Sequence, residues 1–268
     1  MANSSPAGHD GLVQDWVTWH EGYDDPSSRL SARLTLVKQQ LAGALDRAPA
    51  GPVRLVSLCA GQGRDVIETL SEPVPAGHPR RDDVSAVLVE ASPVLAGQAR
   101  AAAAAAGLSQ VEARVADASQ VDQFADALPA DVLLLCGIFG NVSPDDIRRT
   151  VAATPALCAP GASVIWTRHR RPPDLTPQVR DWFTAAGFEE VAFGSPPSAP
   201  RTGVGAAVLR DGRGGTRPEE PLFRFGSADS SGAERSRDRT GSEKLRPASG
   251  IARFSFWCGL FGPSSMIA

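Results

Sequence analysis

Residues 53–65 read VRLVSLCAGQGRD, and the fold is decided here. Val53, Leu55, Val56 and Leu58 form a short apolar run suited to a buried strand. Ala60-Gly61-Gln62-Gly63 then turns the backbone, and 64–70 continues as a helix. Glycines remove side chains where a ligand must meet the backbone, and the helix start that follows carries unpaired N–H groups and a partial positive charge. Two readings stand open: a nucleotide-type binding turn, or the tight strand-to-helix turn of any α/β protein. A GxG alone does not separate them.

The chain has 268 residues, 42% of them hydrophobic, which suits one domain with appendages around a full core. A net charge of −3 gives no electrostatic case for nucleic acid or an anionic membrane, since both select a basic excess. Cys59, Cys136, Cys158 and Cys258 form no CxxC pair and are too sparse for a disulfide scaffold, which points to a reducing compartment. No metal site is expected. The opening MANSSPAGHD lacks the basic and apolar regions of a signal peptide, and no apolar run nears the roughly 20 residues of a membrane span. The expectation is a soluble, cytoplasmic protein.

Upstream of the glycine turn, a helix over 12–23 places Trp16, Trp19, His20 and Tyr23 at i, i+3, i+4 and i+7, on one face. That face docks on the core, and it also suits a lid whose His20 and Tyr23 close over a ligand. Asp25-Pro26-Ser27-Ser28 breaks the segment and supplies an N-cap. Leu30, Leu34, Val37, Leu41 and Leu45 then predict a second helix, read as packing only. Residues 1–50 are thus expected to form a helical lid or cap, bounded by Ala48-Pro49-Ala50-Gly51-Pro52.

Downstream, 85–89 is a buried strand with Glu90 at its end, where a carboxylate is costly without partners. Ser92 and Pro93 open an alanine-rich helix that Gly107 closes. A third strand at 111–115 delivers Asp117, and a polar helix follows near 121–127. Residues 131–136 are apolar after Asp131, as a central parallel strand buried on both faces requires, and lead into Gly137-Ile138-Phe139-Gly140-Asn141. Ser143-Pro144-Asp145-Asp146 starts a helix. A fifth strand at 161–167 runs into Arg168-His169-Arg170-Arg171, Thr176-Pro177 opens another helix, and 188–193 and 204–209 read as a closing antiparallel pair. From Asp211 the Gly, Ser, Arg and Glu content predicts a largely disordered extension to 268, in which 221–225 adds an edge strand. Its apolar end, 251–262, is too short for a span and is read as unrelated to the main function.

This order predicts a Rossmann-like, doubly wound α/β sheet of seven mostly parallel strands with a final antiparallel strand, plus N-terminal helices. Ligands of such sheets sit beyond the carboxyl ends of the strands, near a topological switch. The Gly61–Gly63 turn, Glu90, Asp117 and the segment 136–141 all stand there.

From Val53 to about Leu209 the chain resembles the class I S-adenosylmethionine-dependent methyltransferases: SLCAGQGRD resembles their first motif, VLVEASP the second, VADA the third and DVLLLCGIFGNV the fourth. The resemblance implies that 51–210 binds S-adenosylmethionine. It implies that Ala60, Gly61 and Gly63 approach the methionine part, that Glu90 accepts from the ribose hydroxyls, that Asp117 faces the adenine amino group and that Cys136 and Gly137 flank the sulfonium, with Cys59, Ala91 and Ala118 also expected at the cofactor. It departs from the family at Ser57, where an acid is common, and at Cys59, where the loop's first glycine is usual. Trp19, Tyr23, Phe139 and Asn141 are the expected acceptor contacts, with His20 and His169 as candidate bases. Arg168, Arg170 and Arg171 form either a solvated basic loop or a reader of an acidic substrate group. A small-molecule acceptor is expected, with neither nucleic acid nor membrane as partner. A dinucleotide-dependent oxidoreductase is disfavoured, since Val66 replaces the third small residue and Glu90 lies 27 positions beyond Gly63. No GxxxxGK[ST] occurs to suggest a P-loop. A noncatalytic module on the same fold stands as the alternative.

Overall fold

Residues 16–74, 81–210, 218 and 220–225 are described in the computed structural model. Residues 12–15 of the expected first helix and the remainder of the 211–268 extension, its apolar end included, lie outside the described residues. The N-terminal face starts with α1 (Trp16–His20), which runs into a 3₁₀ turn at Glu21–Tyr23. The long helix α2 (Arg29–Arg47) follows, capped by Ser28, whose hydroxyl accepts the Ser31 N–H at 3.0 Å.

The strands are β1 (Val53–Leu58), β2 (Val84–Glu90), β3 (Val111–Val115), β4 (Ala130–Leu135), β5 (Cys158–His169), β6 (Phe188–Gly194) and β7 (Thr202–Leu209). Between them run α3 (Arg64–Ser71), α4 (Pro93–Ala105), α5 (Pro144–Ala153) and α6 (Thr176–Ala185). The sheet order is β3-β2-β1-β4-β5-β7-β6, with β1 to β5 parallel and β7 antiparallel to both neighbours. The order reverses between β1 and β4, so a crevice opens at their carboxyl ends.

Strand alternation divides the core. Val56 and Leu58 of β1, Leu133 and Leu135 of β4, and Val164 and Trp166 of β5 join Phe124, Ile147 and Phe183 on one face. Leu55, Val132, Leu134 and Ile165 point to the other, where they meet Leu41 of α2, Val66 of α3 and Ala99 of α4. Lys38 of α2 bridges Glu68 and Glu72 at 2.8 Å each, which ties α2 to the helix after the glycine turn. Only the flank of α2 toward these elements is packing, since Arg33, Leu34 and Val37 also wall the cavity described below.

Two expectations for local structure are corrected. Residues 121–127 form a 3₁₀ segment with a kink at Phe124, whose side chain is fully buried. Residues 221–225 add no edge strand: Leu222 and Phe223, at 0% and 1% exposure, are both buried in succession, contrary to strand alternation, and the pairing is a single bridge from Phe225 to Val142. The Leu222 N–H donates to the Ser119 carbonyl at 2.9 Å, and Thr150 Oγ1 donates to the Leu222 carbonyl at 2.7 Å. This pins the segment beside α5.

Candidate functional site

The turn after β1 is left-handed at three places: Cys59 (φ 55), Gly61 (φ 58) and Gly63 (φ 66). A Cβ on Gly63 would lie 2.6 Å from Leu88 Cδ1, so this glycine lets α3 close on the sheet. A Cβ on Gly61 would lie 2.2 Å from His20 Nε2, so this one admits α1. Cys59 and Ala60 wall the cavity, and Gly61 and Gly63 stand behind that wall. Their space is taken by the protein itself. Cys59 holds a conformation that disfavours side chains, and burial pushes its thiol well above the usual range, so it is no thiolate nucleophile.

Around this turn a cavity of about 280 Å³ draws on the ends of β1, β2 and β4 and on the approach from β3. Glu90 sits on its wall, with Oε2 accepting the Gly61 N–H and Oε1 the Ser92 N–H, both at 2.8 Å. The carboxylate is therefore oriented from two sides with lone pairs to spare. Ala91 lies beside it. Asp117 Oδ1 accepts the Ser119 N–H at 2.9 Å, and Asp117 and Ala118 form the far end. Cys136 and Gly137 close the β4 side, where the Gly137 N–H donates to Thr167 Oγ1 at 2.9 Å. Burial raises the Cys136 thiol as well.

Two further polar residues stand on the wall. Ser57, at 1% exposure, carries a buried hydroxyl with no partner among the described residues. Asp65 lies in the first turn of α3, and burial pushes its carboxyl up to about 6, opposed by the Val66 N–H and by Arg33. The signal for Asp65 was its place, two positions after Gly63.

The aromatic residues of α1 and of the 3₁₀ turn after it form one wall of the cavity. Trp19 packs against Trp16, His20 and Tyr23 with ring centroids 5.8, 5.1 and 5.9 Å away, and all four residues line the cavity. His20 Nδ1 donates to the Trp16 carbonyl at 2.6 Å, which leaves Nε2 as the lone-pair nitrogen of the neutral ring. Burial lowers the His20 pKa and so favours the neutral ring. The Tyr23 hydroxyl accepts from Arg33, whose guanidinium lies 5.2 Å from the Trp19 ring centre. Arg33 stands one position before Leu34 at the margin of the apolar stripe of α2, and periodicity alone hid it.

A second cavity, about 540 Å³, shares Trp16, Trp19, Arg33, Gly137 and Asn141 with the first. His169 lies here and not in the first cavity, so the two candidate bases are separated. Burial and the neighbouring Arg168 and Arg171 lower its pKa, and its Nδ1 has no partner among the described residues. Asn141 stands between the cavities, and its amide donates to the Gly137 carbonyl at 2.6 Å. Phe139 is corrected: it is 0% exposed, packed on Trp166 and Phe183 in the core, and lines neither cavity. The apolar ring went inward where the loop turned out.

No protein-family model matches the chain, and no curated protein matches it. Solved structures do. A 1,6-didemethyltoxoflavin-N1-methyltransferase from Burkholderia thailandensis, with bound 1,6-didemethyltoxoflavin and S-adenosylhomocysteine, superposes with TM-score 0.54 at 19% identity, over 79% of this chain and 94% of that one. The magnesium protoporphyrin IX methyltransferase of Synechocystis PCC 6803, with bound S-adenosylmethionine, gives 0.56 at 12%, over 76% and 99%. An O-methyltransferase family protein from Burkholderia thailandensis gives 0.55 at 16%, over 74% of this chain and 61% of that one. The chain has the class I methyltransferase fold. Within the methyltransferase fold the first cavity lies at the β1/β4 switch. Among the described residues, no helix is long and apolar enough to cross a membrane.

Proposed function

We propose that the chain is an S-adenosylmethionine-dependent methyltransferase acting on a small-molecule acceptor. The reading rests chiefly on Glu90, held by two N–H groups at the end of β2 and facing the switch-point cavity. A carboxylate so fixed suits a vicinal diol. Glu90 with Ala91 then takes the ribose, and Asp117 with Ala118 the adenine and its amino donor. Cys136 and Gly137 flank the sulfonium. The unpartnered Ser57 hydroxyl and the Asp65 carboxylate fit the polar, cationic methionine end, with Cys59 and Ala60 against its stem. Asp65 supplies the negative charge that Ser57 lacks. When bound, the cofactor contributes an electrophilic methyl group.

The chain's own part is orientation, exclusion of water and removal of a proton from the acceptor. Trp16, Trp19 and Tyr23 cover the opening as the lid expected of residues 1–50, above a binding unit of 51–210. His20 is the base of choice, because its Nδ1–H is committed to Trp16 and burial favours the neutral ring, whose Nε2 carries the lone pair. Trp19, Tyr23 and Asn141 contact the acceptor, and His169 stands on the acceptor's far side. The free thiols of Cys59, Cys136 and Cys158 are consistent with a cytoplasmic setting. The test is transfer of label from methyl-labelled S-adenosylmethionine into a metabolite extract. Label in a small-molecule fraction supports the reading; cofactor binding without labelled product favours a noncatalytic module.

A further inference from the structure

The second cavity is walled by Arg29, Arg33, Arg168, Arg171 and Arg201, together with His169, and among the described residues by no aspartate or glutamate. Five guanidiniums in one cavity of a chain with net charge −3 are a local concentration, not a reflection of composition. They come from separate stretches: two from α2, one from the end of β5, one from the loop after it and one from just before β7. Several arginines elsewhere are neutralised, as in Arg64–Asp24, Arg114–Asp126 and Arg180–Glu190. None of the five cavity arginines forms an ion pair with a described carboxylate.

Arg168 makes the case sharpest. It is 8% exposed, its Nη1 donates to the Phe139 carbonyl, and its Nε has no partner among the described residues. Asp174 acts on it only from beyond ion-pair distance; a buried guanidinium with no close carboxylate is costly, and an incoming oxyanion offsets that cost through paired N–H donors. Trp16 and Trp19 on the same wall offer ring faces to an apolar body.

We propose that this cavity is the acceptor chamber and that it takes a small acid, an apolar or aromatic body bearing a carboxylate or phosphate. The assignment of the chamber rests on the methyltransferase reading; the anion site itself does not. A polymer would need basic groups laid along an open surface, whereas these converge on a cavity beside Trp16 and Trp19. Arg168 and Arg33 grip the acid group, and the exposed Arg171 and Arg201 draw it in. Bound so, the body lies beside Asn141 and Gly137, shared with the first cavity, and its reacting end enters that first cavity, where His20 and Tyr23 stand.

The experiment titrates benzoate, phenyl phosphate and benzamide into the full chain at low salt, with and without S-adenosylhomocysteine, followed by calorimetry. The same titration is made on Arg171→Gln/Arg201→Gln, whose exposed positions leave folding intact. One or both anions should bind at least tenfold more tightly than benzamide. The double variant should lose about fivefold per guanidinium removed, with S-adenosylhomocysteine affinity unchanged. Equal binding of benzamide and both anions, or unchanged anion affinity in the double variant, overturns the proposal. So does tighter binding of a ten-residue oligouridylate, which assigns the basic cluster to RNA. Anion binding without any S-adenosylhomocysteine binding upholds the anion site and removes the cofactor reading.

Discussion

Replacing Asp65 by asparagine removes a charge and keeps a shape, since Asn Oδ1 still accepts the Val66 N–H that Asp65 Oδ1 accepts at 2.9 Å. In the folded chain the carboxyl titrates near about 6, against 3.8 without burial. The folded state therefore holds this proton more tightly than the unfolded chain, and stability falls as pH rises from 3.8 through about 6. Below that window the group costs nothing; above it the cost is complete. At about 1.4 kcal/mol per pH unit the difference is at most about 3 kcal/mol, and about 2 kcal/mol once water at the partly open carboxylate is allowed for. Urea unfolding should thus show Asp65→Asn about 2 kcal/mol more stable than the parent at pH 8 and no different near pH 3.5. If Asp65 faces the ammonium as proposed, the variant's S-adenosylhomocysteine affinity should be about tenfold weaker, because the variant lacks the opposing charge. A variant less stable at pH 8, or a stability gap equal at both pH values, would refute the reasoning.

Other changes test separate parts of the site. His20→Gln should leave S-adenosylhomocysteine affinity within about twofold and lower turnover by roughly 10² to 10⁴; full turnover removes His20 as the base. Gly61→Val puts a side chain where His20 Nε2 stands, in a left-handed residue. It should displace the lid, seen as a red-shifted tryptophan emission and at least tenfold weaker cofactor binding; parental emission and affinity would contradict the packing described. Leu222→Ala should cost about 2 to 4 kcal/mol in urea unfolding, since Leu222 is fully buried outside the sheet. A loss below about 0.5 kcal/mol would show that 221–225 is not held where it is described.

The fold was legible because several local signals agreed. The uninterrupted apolar run of β4 marks a strand covered on both faces, and Ser92-Pro93 and Ser143-Pro144 mark helix starts whose hydroxyls do accept the expected N–H groups at Leu95 and Asp146. Glu90 and Asp117 were legible as site candidates because a strand end fixes where a residue emerges. Side-chain direction within loops was not. Phe139 and Asn141 stand two apart in one turn, and only the three-dimensional packing sends the ring to Trp166 and leaves the amide between the cavities. The glycines announced the turn but not what fills their space, because Leu88 and His20 are remote in sequence. Arg33 and Arg201 lie far apart in the chain, and no spacing links them before the sheet closes.

The central claim is that the switch-point cavity binds S-adenosylmethionine through Glu90. Calorimetric titration of S-adenosylhomocysteine into the full chain and into Glu90→Ala, each shown folded by circular dichroism, tests it most directly. The account predicts one site per chain in the parent and an affinity about 10- to 100-fold weaker in the variant. No binding to the parent, or equal affinity in both proteins, would contradict it.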